Sequence, residues 1–134
     1  PAGGEVTFPE DVRYTREHEW AREQNGVVTV GITGYATDQL GDVVFVELPE
    51  LGQKLEAGKT FGVVEAVKTV SDLYAPLAGQ VVEVNAALSD NPAIVNSDPY
   101  GEGWMIKLQL ADPKSYAGLL SSADYAKLVE EQHA

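Results

Sequence analysis

The alternation of apolar and polar positions is clearest at 27–32, where Val28, Val30 and Ile32 fall on one face and Thr29 on the other. That period of two predicts a half-buried strand. At Thr33 the period changes: its hydroxyl can cap a short helix over 35–40, and Gly41 can adopt the left-handed conformation that stops one. Residues 43–48 are β-branched and aromatic and predict another strand, ended by Pro49, which cannot donate to a ladder. The stretch LGQKLEAG (51–58) is rich in turn formers and lies between short strands. Two apolar runs at 61–67 and 69–74 then enclose a single lysine, Lys68. Pro76 and Gly79 bracket a turn before strand character resumes at 80–84, and Trp104, Ile106, Leu108 and Leu110 alternate with Met105, Lys107 and Gln109. About seven short strands punctuated by Gly and Pro predict a small sandwich or barrel.

Past residue 111 the period lengthens. Asp112-Pro113 pairs a capping residue with proline at the first helical position and predicts a helical turn or two through Leu120. Ser121 or Ser122 can cap a second helix, in which Tyr125, Leu128 and Val129 recur at helical spacing and face the β core. At the other end, Gly3-Gly4 offers nothing to pack. Residues 1–7 are therefore expected to be flexible and 8–134 to form one domain, C-terminal helices included.

Composition narrows the chemistry. With no cysteine there is no disulfide, thiolate metal site or cysteine nucleophile, and two histidines near opposite ends argue against a multi-histidine metal site. Acids outnumber bases 21 to 9, and a formal charge of −12 opposes binding to nucleic acid or anionic lipid, leaving basic protein surfaces as the electrostatic match. No apolar run approaches the roughly 18 residues of a membrane span, and the N-terminal residues lack the basic and apolar regions of a signal peptide. Asp38, Asp42, Glu47 and Glu50 are scattered over turns and strand ends and read as solvated charge. Asp98 and Glu102, around Pro99-Tyr100-Gly101, lack the ligand density of a calcium loop. No phosphate loop, nucleophile elbow or zinc signature is present, so an enzyme is not expected.

Lys68 is the exception to this plainness. A lysine buried in mid-strand would lose both solvation and rotamer freedom, so its two flanking runs read as a hairpin that carries it near the turn. On that pattern alone it is a surface-turn lysine. The wider segment VEAVKTVSDLYAPLAGQVVEVN (64–85), however, resembles the lipoyl-attachment segment of glycine cleavage system H proteins. Lys68 stands at the modified position and Glu65 matches the family's acid three residues earlier. YTREHEWA (14–21), VGITGYATDQLGDVVFVELPELG (30–52) and NSDPYGEGWMIKL (96–108) are similar to further signatures of the family, in its order. Biotin carriers place their lysine between methionines, whereas here it lies between Val67 and Thr69. Lipoyl domains of 2-oxoacid dehydrogenases are shorter and lack the His18-Glu19-Trp20 and Pro99-Tyr100-Gly101 segments.

The resemblance implies a mainly β barrel-sandwich hybrid of the lipoyl and biotinyl type, with a short internal helix and C-terminal helices. It implies lipoic acid held as an amide on Lys68, and a non-catalytic carrier that takes an aminomethyl group from the P protein (glycine decarboxylase) to the T protein (aminomethyltransferase). The L protein (dihydrolipoyl dehydrogenase) then reoxidises the arm, and lipoate-attaching enzymes are further partners. By the same residue-by-residue match, Glu19 is the acid expected to hold the loaded arm's ammonium, with Glu17 and Asp72 near the cleft. Gln39 stands where some members have histidine. Two readings stay open for Glu19, ammonium holder or structural anchor, and two for Glu65, recognition charge for the attaching enzyme or solubilising strand residue. Tyr14, Trp20 and Trp104 are expected in the core or cleft wall rather than as a stacking platform. The alternative function is a lipoyl donor or relay to other enzymes, and a third is an interaction module without cofactor. The implied location is bacterial cytoplasm or, in a eukaryote, the mitochondrial matrix, with cytoplasm favoured.

Overall fold

The computed structural model describes residues 8–133, and the flexible start expected at 1–7 lies outside the described residues. Nine strands occur among them: β1 (Arg13–Tyr14), β2 (Glu19–Gln24), β3 (Val27–Ile32), β4 (Val43–Glu47), β5 (Lys54–Leu55), β6 (Thr60–Ala66), β7 (Val70–Tyr74), β8 (Gly79–Val84) and β9 (Ile106–Leu110). They form two antiparallel sheets, one in the order β1-β2-β3-β9-β8-β5 and one in the order β4-β6-β7. The alternation read at 27–32 is the reason the sheets face each other: Val28, Val30 and Ile32 are buried and join Val81, Ile106 and Leu108 on one side of the core. Val43, Val46, Phe61, Val64 and Leu73 close it from the other. Each fully buried side chain of this kind contributes roughly 1.5–3 kcal/mol.

Among the described residues four α-helices decorate the sandwich: α1 (Gly34–Leu40), α2 (Ala87–Asp90), α3 (Ile94–Ser97) and α4 (Ser122–His133). The expected cap of α1 is present, since Thr33 Oγ1 accepts the Ala36 amide at 3.1 Å. Gly41 ends the helix at φ 81°, its N–H donating to the Thr37 carbonyl. Ser121 rather than Ser122 caps α4, accepting the Asp124 amide. Tyr125, Leu128 and Val129 bury against Phe8, Val12, Tyr14 and Trp20 in a second cluster, where the Tyr14 and Tyr125 rings stack at 4.5 Å.

The sequence pattern misplaced several elements. There are nine strands rather than about seven, because β1 and β2 escape an alternation test: Glu19, Trp20 and Ala21 are buried in succession. The helices α2 and α3 were not expected. The predicted helix through Leu120 is a 3₁₀ segment over Pro113–Gly118, capped by Asp112 as expected but released early, so that Leu120 pairs with Tyr14. The alternation drawn from Trp104 fails at Met105, which is wholly buried, because β9 starts only at Ile106. Trp104 lies half-buried at the rim of the second cluster.

Candidate functional site: the lysine turn and its cleft

The β6 and β7 strands pair up to Glu65 opposite Val70, and the Ala66 N–H donates to the Thr69 carbonyl at 2.7 Å. Val67 and Lys68 are thereby left at the tip of a hairpin, as the two apolar runs predict. The tip does not swing free. The Val67 N–H donates to the Asp42 carbonyl at 3.0 Å, and the Lys68 stem lies over Gly41, where a Cβ would sit 3.3 Å from Lys68 Cε. Lys68 is exposed and takes part in neither of the two ion pairs found among the described residues. Around it, Val44, Phe45, Val67 and Val70 expose apolar surface. Glu65, half-buried, stands directly between Phe45 and Val70 on the outer face of the small sheet.

Beside this turn α1, β7 and the start of β2 enclose a cleft of about 260 Å³. Glu17, Glu19, Gln39 and Asp72 all line it, so four residues scattered through the sequence meet at one place. Ile32, Leu40, Val64 and Leu73 give it apolar walls. Lys68 and Glu65 are not among the lining residues, although Leu40 is one residue from Gly41 and Ser71 lies just past the turn.

Glu19 is the buried acid of the cleft, 2% exposed. Thr15 Oγ1 donates to its Oε1 at 2.8 Å and the Tyr74 N–H to its Oε2 at 3.2 Å, a bridge from β2 to β7. Burial pushes its pKa up to about 8, against the opposing effect of those two hydrogen bonds. Glu17 and Asp72, by contrast, are exposed.

One cleft residue that the sequence reading passed over is His18. Its backbone is left-handed (φ 75°), and Glu17 and Glu19 on either side of it line the same cleft. Its Nδ1 lies 2.7 Å from the Tyr125 hydroxyl, which lies 2.7 Å from Thr33 Oγ1, the cap of α1. Burial holds the imidazole below its ordinary pKa, and the neutral ring can accept the tyrosine proton at Nδ1. A histidine flanked by two acids was the available signal, but nothing in the letters Glu-His-Glu announces a positive φ or a partner in a helix near the other end of the chain. Of the three aromatics, Tyr14 and Trp20 are fully buried, and the Trp20 indole N–H donates to the Pro99 carbonyl at 2.9 Å.

A family model described as glycine cleavage H-protein matches residues 12–132. A glycine cleavage system H protein of Anaeromyxobacter sp. (strain K) is 56% identical over 127 residues, covering 95% of this chain and 99% of that protein. Its counterpart in Bacteroides thetaiotaomicron is 52% identical over 124 residues, covering 92% and 98%. Among solved structures, a crystal structure of a glycine cleavage system H protein from Mycobacterium marinum superposes with a TM-score of 0.85 at 45% identity, covering 92% of this chain and 99% of that one.

Proposed function

The chain belongs to the glycine cleavage H-protein family and is a lipoyl carrier of the glycine cleavage system with a barrel-sandwich fold, and from that premise we propose that Lys68 holds the lipoyl group as an amide. The exposed hairpin tip carries this reading: Lys68 is solvent-facing, unpaired in any ion pair among the described residues, and held at its base by Asp42 and Gly41. A primary amine on a flexible stem suits amide formation, and tethering replaces capture of a free cofactor by a high local concentration. When bound there, lipoic acid would supply the disulfide and thiol chemistry, and the protein contributes orientation and shelter.

The family works with the P, T and L proteins of the system. In our reading the carrier itself is non-catalytic. It takes an aminomethyl group from glycine decarboxylase to the aminomethyltransferase and is reoxidised by dihydrolipoyl dehydrogenase. Residues 8–134 act as one carrier domain, and lipoate-attaching enzymes meet it at Lys68, where Glu65 beside the exposed Phe45 and Val70 supplies a recognition charge. The named relatives are bacterial proteins, which supports a place in the bacterial cytoplasm. Among the described residues no helix is long and apolar enough to cross a membrane. The relatives' naming for glycine cleavage favours carriage over donation of lipoyl groups to other enzymes.

The cleft's own residues supply the protection a loaded amine needs. With its pKa near 8, Glu19 keeps a proton on its carboxyl around neutrality. An amine entering the cleft can take that proton, leaving a carboxylate already supported by Thr15 and Tyr74. The resulting ammonium has no nitrogen lone pair with which to expel a sulfur leaving group. Glu17, Asp72 and Gln39 line the same space and offer it acceptors. The bridge that anchors β2 to β7 is thus the same feature that prepares Glu19 to be charged.

Intact-mass analysis with peptide fragmentation tests the central assignment. A lipoyl adduct is expected on Lys68 of the native protein, and none on Lys68→Arg, which should also fail to support glycine decarboxylation with the three partner proteins. An adduct found on another lysine would overturn the assignment.

A further inference from the structure

The geometry points to Asn96, a residue of α3 that does not touch Lys68 through any hydrogen bond, as the positioning residue that fixes where Lys68 is presented. This inference rests on Lys68 being the attachment site. Asn96 uses both halves of its amide on the backbone around one residue: Nδ2 donates to the Gly41 carbonyl at 2.8 Å, and Oδ1 accepts the Val43 N–H at 2.8 Å. Between those two bonds lies Asp42, whose carbonyl accepts the Val67 N–H at the base of the lysine turn. Each of the three clamped residues contacts the turn in its own way. Gly41 supports the Lys68 stem, Asp42 receives Val67, and Val43 pairs with Ala66.

The support behind Asn96 is closely packed. Its neighbour Val95 is wholly buried in the main core, and the Asn96 N–H is bonded to the Ala93 carbonyl. Below α3 the chain folds back at Gly103, where a Cβ would come within 2.7 Å of the Asp98 carbonyl oxygen. Segment 41–43, by contrast, is the joint between the end of α1 and the start of β4, and Gly41 sits at φ 81° with no side chain to hold it. A planar amide with a donor and an acceptor matches one backbone carbonyl and one backbone N–H that both face it, and neither aspartate nor alanine can satisfy the two. Without the clamp, the Asp42 carbonyl drifts and the Val67 bond with it, so the lysine tip loses its fixed direction.

Attachment requires Lys68 Nζ, as the free amine, to attack an activated lipoyl carboxyl carbon. The amide C–N bond forms, the activating group leaves with its electron pair, and the nitrogen gives up a proton. A displaced nucleophile costs rate steeply: a misplacement of about 1 Å can cost on the order of a hundredfold. The test compares unmodified parent, Asn96→Ala and Asn96→Asp chains as substrates for a lipoate-attaching enzyme given lipoate and ATP, with Asn85→Ala as the control. Asn85 is a second double clamp, holding the Glu102 and Trp104 carbonyls away from the turn. The expected result is a roughly ten- to hundredfold loss of kcat/KM for both Asn96 variants, with faster hydrogen exchange of the Val67 amide by NMR, and neither change in Asn85→Ala at a matched loss of Tm. Asn96→Asp keeps the acceptor for Val43 and serves if the alanine variant does not fold. Equal modification of all chains, or a loss no greater than that of Asn85→Ala, overturns the positioning role. If the parent acquires no lipoyl group on Lys68, it is the attachment assignment that fails, and Val67 exchange still decides the clamp.

Discussion

Glu19 illustrates how much a single residue's surroundings decide. Its folded-state pKa of about 8 lies above the ordinary value of 4.5, so between those pH values the folded chain keeps a proton that the unfolded chain has lost. Its contribution to stability therefore falls as pH rises from 4.5 toward 8. Glu19→Gln should remove that fall, narrowing the stability difference between acid and alkaline conditions by on the order of a few kcal/mol in denaturant melts at pH 5 and pH 8.5. His18, whose pKa burial lowers, works in the opposite sense as pH drops through the histidine range, but it is present in both chains and cancels in the comparison. The same variant, loaded with the aminomethyl group, should release formaldehyde faster than the parent at neutral pH, and unchanged decay would sink the proton-holding role. At this scale the sequence was informative where a motif marks the residue, as for Lys68 and Glu19. It was silent where the partner is remote: the bonds of Asn96 span 53 and 55 residues, and no local pattern encodes them.

Among the elements, α4 reaches the cleft wall at His18, through the side chains of Tyr125 and Gln132. Tyr125 joins the C-terminal helix to His18 in the cleft wall and to Thr33 at the cap of α1. Tyr125→Phe keeps the ring stack on Tyr14 but takes the hydroxyl partner from a half-buried imidazole nitrogen and one of two partners from the wholly buried Thr33, whose Oγ1 keeps the Ala36 amide. A loss of about 1–3 kcal/mol follows, to be read in equilibrium unfolding, with amide exchange quickening first in 15–19 and the first turn of α1. No loss would mean that the relay is incidental. The strands and helices that were legible share a feature: β3, α1 with its cap, and the lysine hairpin each present a local period or a capping residue. The four-residue helices α2 and α3 are shorter than any helical period can reveal. The β2 strand buries Glu19, Trp20 and Ala21 in succession, so it has no alternation to read, and its buried glutamate finds its partners in Thr15 and β7.

For the molecule as a whole, 21 acids face 9 bases, and the two ion pairs among the described residues, Arg22–Asp11 and Lys107–Glu83, leave most of that charge unneutralised. Self-repulsion should be screened by salt, so raising sodium chloride from 10 mM to 300 mM is expected to increase Tm. A gain of about 1 kcal/mol would appear as roughly 3–6 °C, and a flat or falling Tm would contradict it. The overall fold was legible through family signatures spread along the chain more than through periodicity, which gives strands but not their partners. Partnering is where this chain is least local. The centre of the large sheet sets Val27 against Gln109 and Val30 against Ile106, while the lysine hairpin joins neighbours in sequence. During synthesis the hairpin is therefore complete in outline before β9 exists, yet the sheet behind it cannot close until β9 has emerged, and α3, whose Asn96 clamps the turn, is made shortly before β9. Loop closure of that span is slow relative to hairpin formation. A partner that requires the turn in its final setting thus meets it only on a finished molecule, and premature loading of a nascent or truncated chain is disfavoured by the order in which its strands are made.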